Sequence, residues 1–299
     1  MKDYAFRLGF SGIGIAGAGA LVEARQQFEQ SIALGFHADM LYLARETGHR
    51  FLPTRLLAGC QSVIVCLYDY RLPLELQSRY KVARYAQLKD YHIFMREKLE
   101  ALAAFVHAGT TGEQYKITVD TSPLSEKQWA VQAGLGHLGK NGLLLSSSGS
   151  YCFIGIILTT LHLPTTEPAA LAERQDPCGS CRLCVEACPA GALHEPYRVD
   201  ARRCIAYHTV EYKGTGEHFP KIQCSPWIFG CDRCQEVCPR NRALSYPTDA
   251  QRYQAPFLHF TDSDWENLTS EQFQRYFSGT CLQRRGYEKI RVAISRDKE

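Results

Sequence analysis

Nine of the thirteen cysteines lie between Cys178 and Cys238. The first run, Cys178-Gly179-Ser180-Cys181-Arg182-Leu183-Cys184-Val185-Glu186-Ala187-Cys188-Pro189, has the spacing C-x2-C-x2-C-x3-C-P. Three thiolates two residues apart on a tight loop reach three corners of one [4Fe–4S] cubane. The fourth, carried onto a following helical turn, points to a second cluster. Gly179 and Ser180 let backbone N–H groups approach the sulfurs, which tunes potential. A second, shorter run, Cys231-Asp232-Arg233-Cys234-Gln235-Glu236-Val237-Cys238-Pro239, ends in the same Cys-Pro but lacks one cysteine. Ligand exchange then gives the first cluster Cys178, Cys181, Cys184 and Cys238. It gives the second Cys188, Cys231, Cys234 and either Cys204 or Cys224. Structural zinc is the competing reading, because zinc also takes CxxC pairs, but the C-P form favours iron–sulfur. Cys60, Cys66, Cys152 and Cys281 are scattered in apolar surroundings and read as ordinary thiols.

Clusters move electrons and do not name the acceptor. A plain ferredoxin needs only about 60 residues, so the acceptor belongs to the preceding part of the chain. Val119-Asp120-Thr121-Ser122-Pro123 puts an acid at the end of a strand, where open sheets bind ligands; capping of the next helix is the alternative role. Ala133 to Gly142 carries four glycines, Lys140 and Asn141, which suits backbone lying close to a large ligand or a plain connection. Gly12-Ile13-Gly14-Ile15-Ala16-Gly17 fits GxGxxG. The run is itself strand-like, and Asp39 lies too far on, in a helical pattern, so it reads as a buried strand and turn. Asp90-Tyr91-His92 is half of the D-x-H-x-x-G pattern that ligates cobalt in some cobalamin proteins. Met95 replaces its glycine, so His92 reads as packed or pocket-lining.

The elements that must position these groups alternate. Ser62 to Tyr68 is a short apolar strand, and Tyr85 to Ala108 an amphipathic helix with Leu88, Tyr91, Met95, Leu99, Leu102, Phe105 and Val106 on one side. Tyr115 to Val119 is a strand, and Ser125 starts a helix ending at Gly134 or Gly136. Leu143–Leu145 and Tyr151–Leu161 are strands joined by the Ser146 to Ser150 turn. The interleaving favours α/β layers. Residues 1–165 form one domain, 166–242 the cysteine unit, and 243–299 a short helical segment with Trp265, Phe273, Tyr276 and Phe277 on its apolar faces.

Lys+Arg 34 against Asp+Glu 31 gives a net charge of +3, which excludes a histone-like binder and an acidic disordered tail. No apolar run reaches the roughly 18–20 residues of a membrane span, and Met1-Lys2-Asp3-Tyr4 opens no secretory signal. A cytoplasmic protein without membrane contact is expected. Clustered cysteines there mean metal or redox chemistry, not disulfides.

Several blocks together resemble the epoxyqueuosine reductases. They are Gly35 to Arg45, Lys89 to His92, Val119 to Pro123, Gly134 to Asn141, Asp200 to Ile205 and both cysteine runs. The resemblance covers about residues 5–242. It implies an α/β (α+β) cobalamin-binding domain of reductive-dehalogenase-like type followed by a ferredoxin-like double [4Fe–4S] domain. It also implies cobalamin bound base-off without a histidine on cobalt, Asp120 as proton donor over the cofactor face, and Cys204 as the last cluster ligand, leaving Cys224 spare. Lys140, Asn141, Gly155, His92 and Tyr85 would contact the cofactor. Two features depart from the family pattern. About 60 residues follow the cysteine unit, where many members carry a helical-repeat domain that helps hold tRNA. Cys238-Pro239-Arg240-Asn241 and His137 replace family tryptophan-containing motifs.

The function so implied is reduction of epoxyqueuosine to queuosine in the anticodon loop of tRNA. Single electrons pass from the clusters to cobalamin, and Asp120 supplies a proton. A low-potential donor would feed a monomer. Loop bases can be splayed into a pocket, which suits an RNA substrate. Arg202, Arg203, Lys213, Lys221, Arg240 and Arg242 are candidate RNA contacts. The alternatives are a corrinoid iron–sulfur reductase of a small molecule and a ferredoxin-like electron carrier.

Overall fold

A computed structural model describes residues 1–45, 47–73, 76–166, 176–193, 197–214, 224–242 and 249–296. The β-branched and aliphatic run of β2 (Ser62–Asp69) pairs antiparallel with β1 (Gly12–Gly17) on one side and β7 (Cys152–Thr159) on the other. β4 (Tyr115–Thr118) completes the sheet, giving the order β1-β2-β7-β4, antiparallel throughout. Both faces of β2 and β7 are buried, which is why they read as continuous apolar runs and not as alternating ones.

The two faces pack on different helices. Ile64, Cys66 and Ile157 meet α4 (Tyr91–Val106) through Met95, Leu99 and Leu102, with α1 (Lys2–Arg7) at the edge. Val63, Val65, Ile156 and Leu158 meet α5 (Glu126–Gln132) through Trp129, Ala130 and Ala133. Gly14 is required at this second contact: a Cβ there would stand 2.2 Å from the Ala133 carbonyl oxygen. Thus the GxGxxG run is a strand under a helix end, as its sequence suggested. Asp39 lies in a turn, not a helix, and accepts from the Tyr207 hydroxyl at 3.0 Å.

Three further departures have local causes. The helix expected from Tyr85 begins at Tyr91, because Asp90 caps it by accepting from the His92 amide at 3.1 Å. Leu88 and Lys89 instead make single bridges to Gln254 and Thr280. β6 (Leu144–Leu145) pairs with β5 (His137–Leu138), not with β7, so the glycine-rich stretch turns a small hairpin. α2 (Val22–Ala33) follows β1 and buries no residue; its weak apolar pattern hid it in the sequence. Its inner side faces the cavity described below.

α3 (Thr47–Arg50) precedes β2. A second core forms where β3 (Lys81–Val82) pairs in parallel with β8 (Trp227–Phe229). α8 (Asp262–Glu266), α9 (Ser270–Phe277) and α10 (Tyr287–Arg296) close over that pair. Trp265, Phe273 and Phe277, placed by two capping boxes, are at most 2% exposed. Each such side chain contributes about 1.5–3 kcal/mol by burial. The last segment therefore folds onto residues 80–86 and 228–229 and shares their core. α6 (Leu183–Glu186) and α7 (Arg233–Glu236) are matching short turns in the two cysteine runs. Among the described residues, no helix is long and apolar enough to cross a membrane.

Candidate active site and cysteine centre

A cavity of about 1680 Å³ opens between α2, the start of α5, the β5 hairpin and the first residues of β7. Cys152, Phe153 and Ile154 form its sheet wall, and Asp176, Pro177 and Val199 bring the cysteine unit to its edge. Ligand pockets for ordinary small molecules run to about 300–1,000 Å³, so this one is sized for a larger group.

Asp120 stands in the wall just past β4 with φ 57, a left-handed conformation that asparagine and aspartate tolerate best. Two groups hold it. Its backbone N–H donates to Glu126 Oε1 at 2.6 Å, from the first turn of α5. Its carboxylate Oδ2 lies 3.4 Å from His92 Nε2, a long contact, and the Tyr91 hydroxyl also donates to it. Tyr91 is fixed by stacking on Phe153, centroids 4.1 Å apart and planes 6° from parallel. The other His92 nitrogen, Nδ1, is 2.6 Å from Asp90 Oδ1, and Asp90 Oδ2 accepts from Arg284 Nη2 at 2.6 Å.

Arg284 Nη2 also lies 2.7 Å from Nδ1, and Nε2 makes no contact of hydrogen-bond geometry among the described residues. The neighbouring His92 holds Asp120 below the usual carboxylate range. Burial pushes His92 down, and Arg284 adds to this, but its contacts with Asp120 and Asp90 outweigh both and raise it. Burial likewise works against ionised Asp90, and the bonds from His92 and Arg284 overcome it and lower its pKa. Glu126 is pushed up to about 8 by burial. Asp120 itself keeps a 63% exposed side chain, open to the cavity, while His92 is 15% exposed. Thus a carboxylate reachable by a ligand is backed by a sequestered imidazole whose pKa its carboxylate neighbours raise.

The remaining expected cofactor contacts fall elsewhere. Lys140 Nζ donates to the Gly179 carbonyl and, at 3.2 Å, to that of Cys181, and its amide lies 3.4 Å from Cys178 Sγ. It ties the hairpin to the first cysteine loop and does not line the cavity. Asn141 is 5% exposed and its Oδ1 accepts from the Leu143 amide at 3.3 Å, shaping the same turn. Gly155 faces the opposite side of the sheet, where a Cβ would meet Leu99 Cδ1 at 2.6 Å and Met95 Cε at 2.9 Å. Tyr85 joins the two cores against Phe229, and burial raises its pKa well above the ordinary value. The cavity residues that sequence reasoning passed over are Tyr91, Glu126, His37 and Arg50. Tyr91 and His37 lie inside blocks the sequence already singled out, Glu126 adjoins one, and Arg50 carried no signal. Of the candidate RNA contacts, Arg202 pairs with Asp200 at 2.8 Å and Arg240 donates to the Pro177 carbonyl at 3.3 Å, while Lys221 lies outside the described residues.

The thiols sort into two sets. Burial raises Cys184, followed by repulsion from Cys178 and Cys238, and Cys238 in turn senses Cys178 and Cys181. Burial also raises Cys204, Cys231 and Cys234. Backbone N–H groups oppose this for Cys204 and Cys231, and nearby thiols add to it: Cys188 for Cys204, Cys204 and Cys188 for Cys231, and Cys231 and Cys204 for Cys234, which also senses Cys184. Cys224 packs together with Cys231 beside Ala83, Ile205 and Trp227. Backbone amides already point at sulfur, Ala192 N to Cys188 Sγ at 3.3 Å among them. Among the described residues, no three metal-binding side chains converge as ligands of a single ion would.

Residues 50–121 match the family model described as epoxyqueuosine reductase QueG, and residues 177–241 match the 4Fe-4S double cluster binding domain. An epoxyqueuosine reductase of Cyclobacterium marinum is 35% identical over 292 residues, covering 96% of this chain and 92% of its own. One of Synechocystis sp. is 36% identical over 272 residues, covering 88% and 91%. A crystal structure of epoxyqueuosine reductase with an epoxyqueuosine-modified tRNA-Tyr stem loop superposes with TM-score 0.87 at 25% identity. That match covers 99% of this chain and 79% of the other. The Streptococcus thermophilus enzyme gives 0.83 at 28%, with the same coverage. With relatives at 35–36% identity over nearly their whole length, this chain belongs to the epoxyqueuosine reductase family.

Proposed function

We propose that this chain reduces epoxyqueuosine to queuosine in the anticodon loop of tRNA. The observation that carries the reading is Asp120, exposed to the large cavity with His92 Nε2 3.4 Å behind it. Deoxygenating an epoxide to an alkene takes up two electrons and two protons and releases water. The protein must therefore deliver protons at the oxygen. Asp120 is the group in reach of a ligand, and His92 Nε2 is the store that recharges it. Asp90 and Arg284 keep the imidazole in register.

Eight thiolates in two sets fit two [4Fe–4S] clusters, with Cys178, Cys181, Cys184 and Cys238 on one and Cys188, Cys204, Cys231 and Cys234 on the other. An external low-potential donor would supply them. The cavity fits a corrinoid in size, and its wall carries the unpartnered polar atoms His37 Nδ1 and Arg50 Nε. Cobalamin bound there would supply a low-potential metal centre for the reductive chemistry. His92 Nδ1 is held by Asp90, and Nε2 faces the Asp120 carboxylate at 3.4 Å, which supports a cofactor with no bond to that histidine. The cysteine unit borders the cavity through Asp176 and Pro177, so electrons have a short route.

The test is turnover of epoxyqueuosine-containing tRNA by anaerobically purified protein with added cobalamin. Asp120→Asn should lose at least about 100-fold in rate, as removal of a general acid does, while iron and cobalamin content persist. Wild-type-like turnover of that variant removes Asp120 from the mechanism. Turnover of a small corrinoid-reductase substrate in place of tRNA overturns the assignment of substrate.

A further inference from the structure

Arg50 is a cation, 9% exposed, with no acidic partner among the described residues. Its place is rigid. It ends α3, and its carbonyl accepts from the Ser125 amide at 2.9 Å and from Trp129 Nε1 at 3.3 Å, which fastens it to the buried start of α5. Its guanidinium lies 5.5 Å from the ring centroid of Phe28 on α2. Of five N–H donors, Nη2 donates to the Tyr42 carbonyl at 3.0 Å, while Nε is buried with no partner among the described residues. Arg50 lines the cavity, as does His37, whose Nδ1 is likewise buried and unpartnered. A guanidinium left this short of acceptors is costly unless a ligand completes it. Its planar fork matches phosphate and carboxylate groups, and of these an intact cobalamin carries the phosphate.

We propose that Arg50, assisted by His37, is a subsite for a phosphodiester, and that the group it takes is the nucleotide-tail phosphate of the corrinoid in this cavity. The proposal rests on the cobalamin reading above. An RNA backbone could offer the same chemistry. However, a residue 9% exposed in an interior wall beneath α2 suits a group that enters the cavity whole, not a polyanion lying across its mouth.

Cobinamide is a corrinoid without the nucleotide and its phosphodiester, so it separates the tail from the ring. Titrate cobalamin and cobinamide into anaerobically purified wild type, Arg50→Gln and Arg50→Lys, following the corrinoid spectrum. Wild type should prefer cobalamin; Arg50→Gln should weaken cobalamin about 10- to 100-fold, one charge-assisted contact, and cobinamide by less than about two-fold. Arg50→Lys, which keeps the charge and loses the fork, should fall between. Equal weakening of both corrinoids, or none, overturns the subsite. So does wild type that binds the two equally, a result independent of how well the variants fold. If Arg50→Gln instead raises KM for tRNA at saturating cobalamin, the phosphate is the RNA's and the proposal fails. Wild type that takes up neither corrinoid fails the cobalamin reading itself.

Discussion

In the proposed reaction Asp120 donates the proton, yet His92 lowers its pKa, so the proton must be kept next door. The arrangement of Asp90, His92 and Asp120 does that, and it predicts a pH signature. Asp120 has a lowered folded-state pKa, so its pairing stabilises the fold above the ordinary carboxylate range and is lost as pH falls through the lowered value. His92 is raised, so its contribution is complete below its usual ~6.5 and is lost as pH rises through the raised value. The stability difference between wild type and His92→Gln should therefore be largest between these limits. It should shrink at both ends in urea midpoints measured against pH. In turnover, His92→Gln should move the Asp120 limb of the profile to higher pH; an unchanged profile would exclude the relay. Glu126 acts on the backbone of the same residue. Glu126→Gln keeps an acceptor for the Asp120 amide and should retain most activity. Glu126→Ala should lower kcat roughly 10-fold or more with little change in KM, and hydrogen exchange over 119–124 should rise. Equal effects of the two variants would show that the acceptor does not matter.

At the scale of elements, β2, β7 and β4 were legible because burial leaves an apolar signature, and α5 because Ser125 and the glycines after it mark its ends. The start of α4 was misplaced, since only contacts to Gln254 and Thr280 reveal that Leu88 and Lys89 belong to another structure. Gly155 shows the same limit. Its position on β7 was readable, but its facing was not, because the register between sheet faces depends on which helix covers each. Gly155→Ala should destabilise by about 1–3 kcal/mol through overpacking against Leu99 and Met95, whose ends can yield. Gly14→Ala meets the unyielding Ala133 carbonyl and should cost more. Chemical denaturation of both variants checks the order; a neutral Gly14→Ala would contradict the packing of α5 on β1.

Across the whole molecule, distant segments finish each site. Arg284, 194 residues after Asp90, clamps it through Nη2, so the last segment is part of the active-site support. In the proposed ligand assignment the cysteine runs cross in the same way. Cys238→Ser, though in the second run, should remove the first cluster and lower iron from about eight to about four per chain, whereas Cys224→Ser should keep about eight. Iron analysis and cluster spectra decide this. Retention of about eight irons in Cys238→Ser would sink the exchange.

Residue spacing alone determined that this chain carries clustered thiolates for electron transfer, because a cubane dictates local loop geometry. It also singled out Asp120, because a strand end before a helix is a local pattern. Only the tertiary structure decided which groups surround that acid, which face Gly155 presents, that Lys140 serves the cysteine loop, and that Arg50 stands in the cavity wall with no acidic partner among the described residues. Those outcomes depend on contacts between segments far apart in the chain. Packing, not spacing, fixes them.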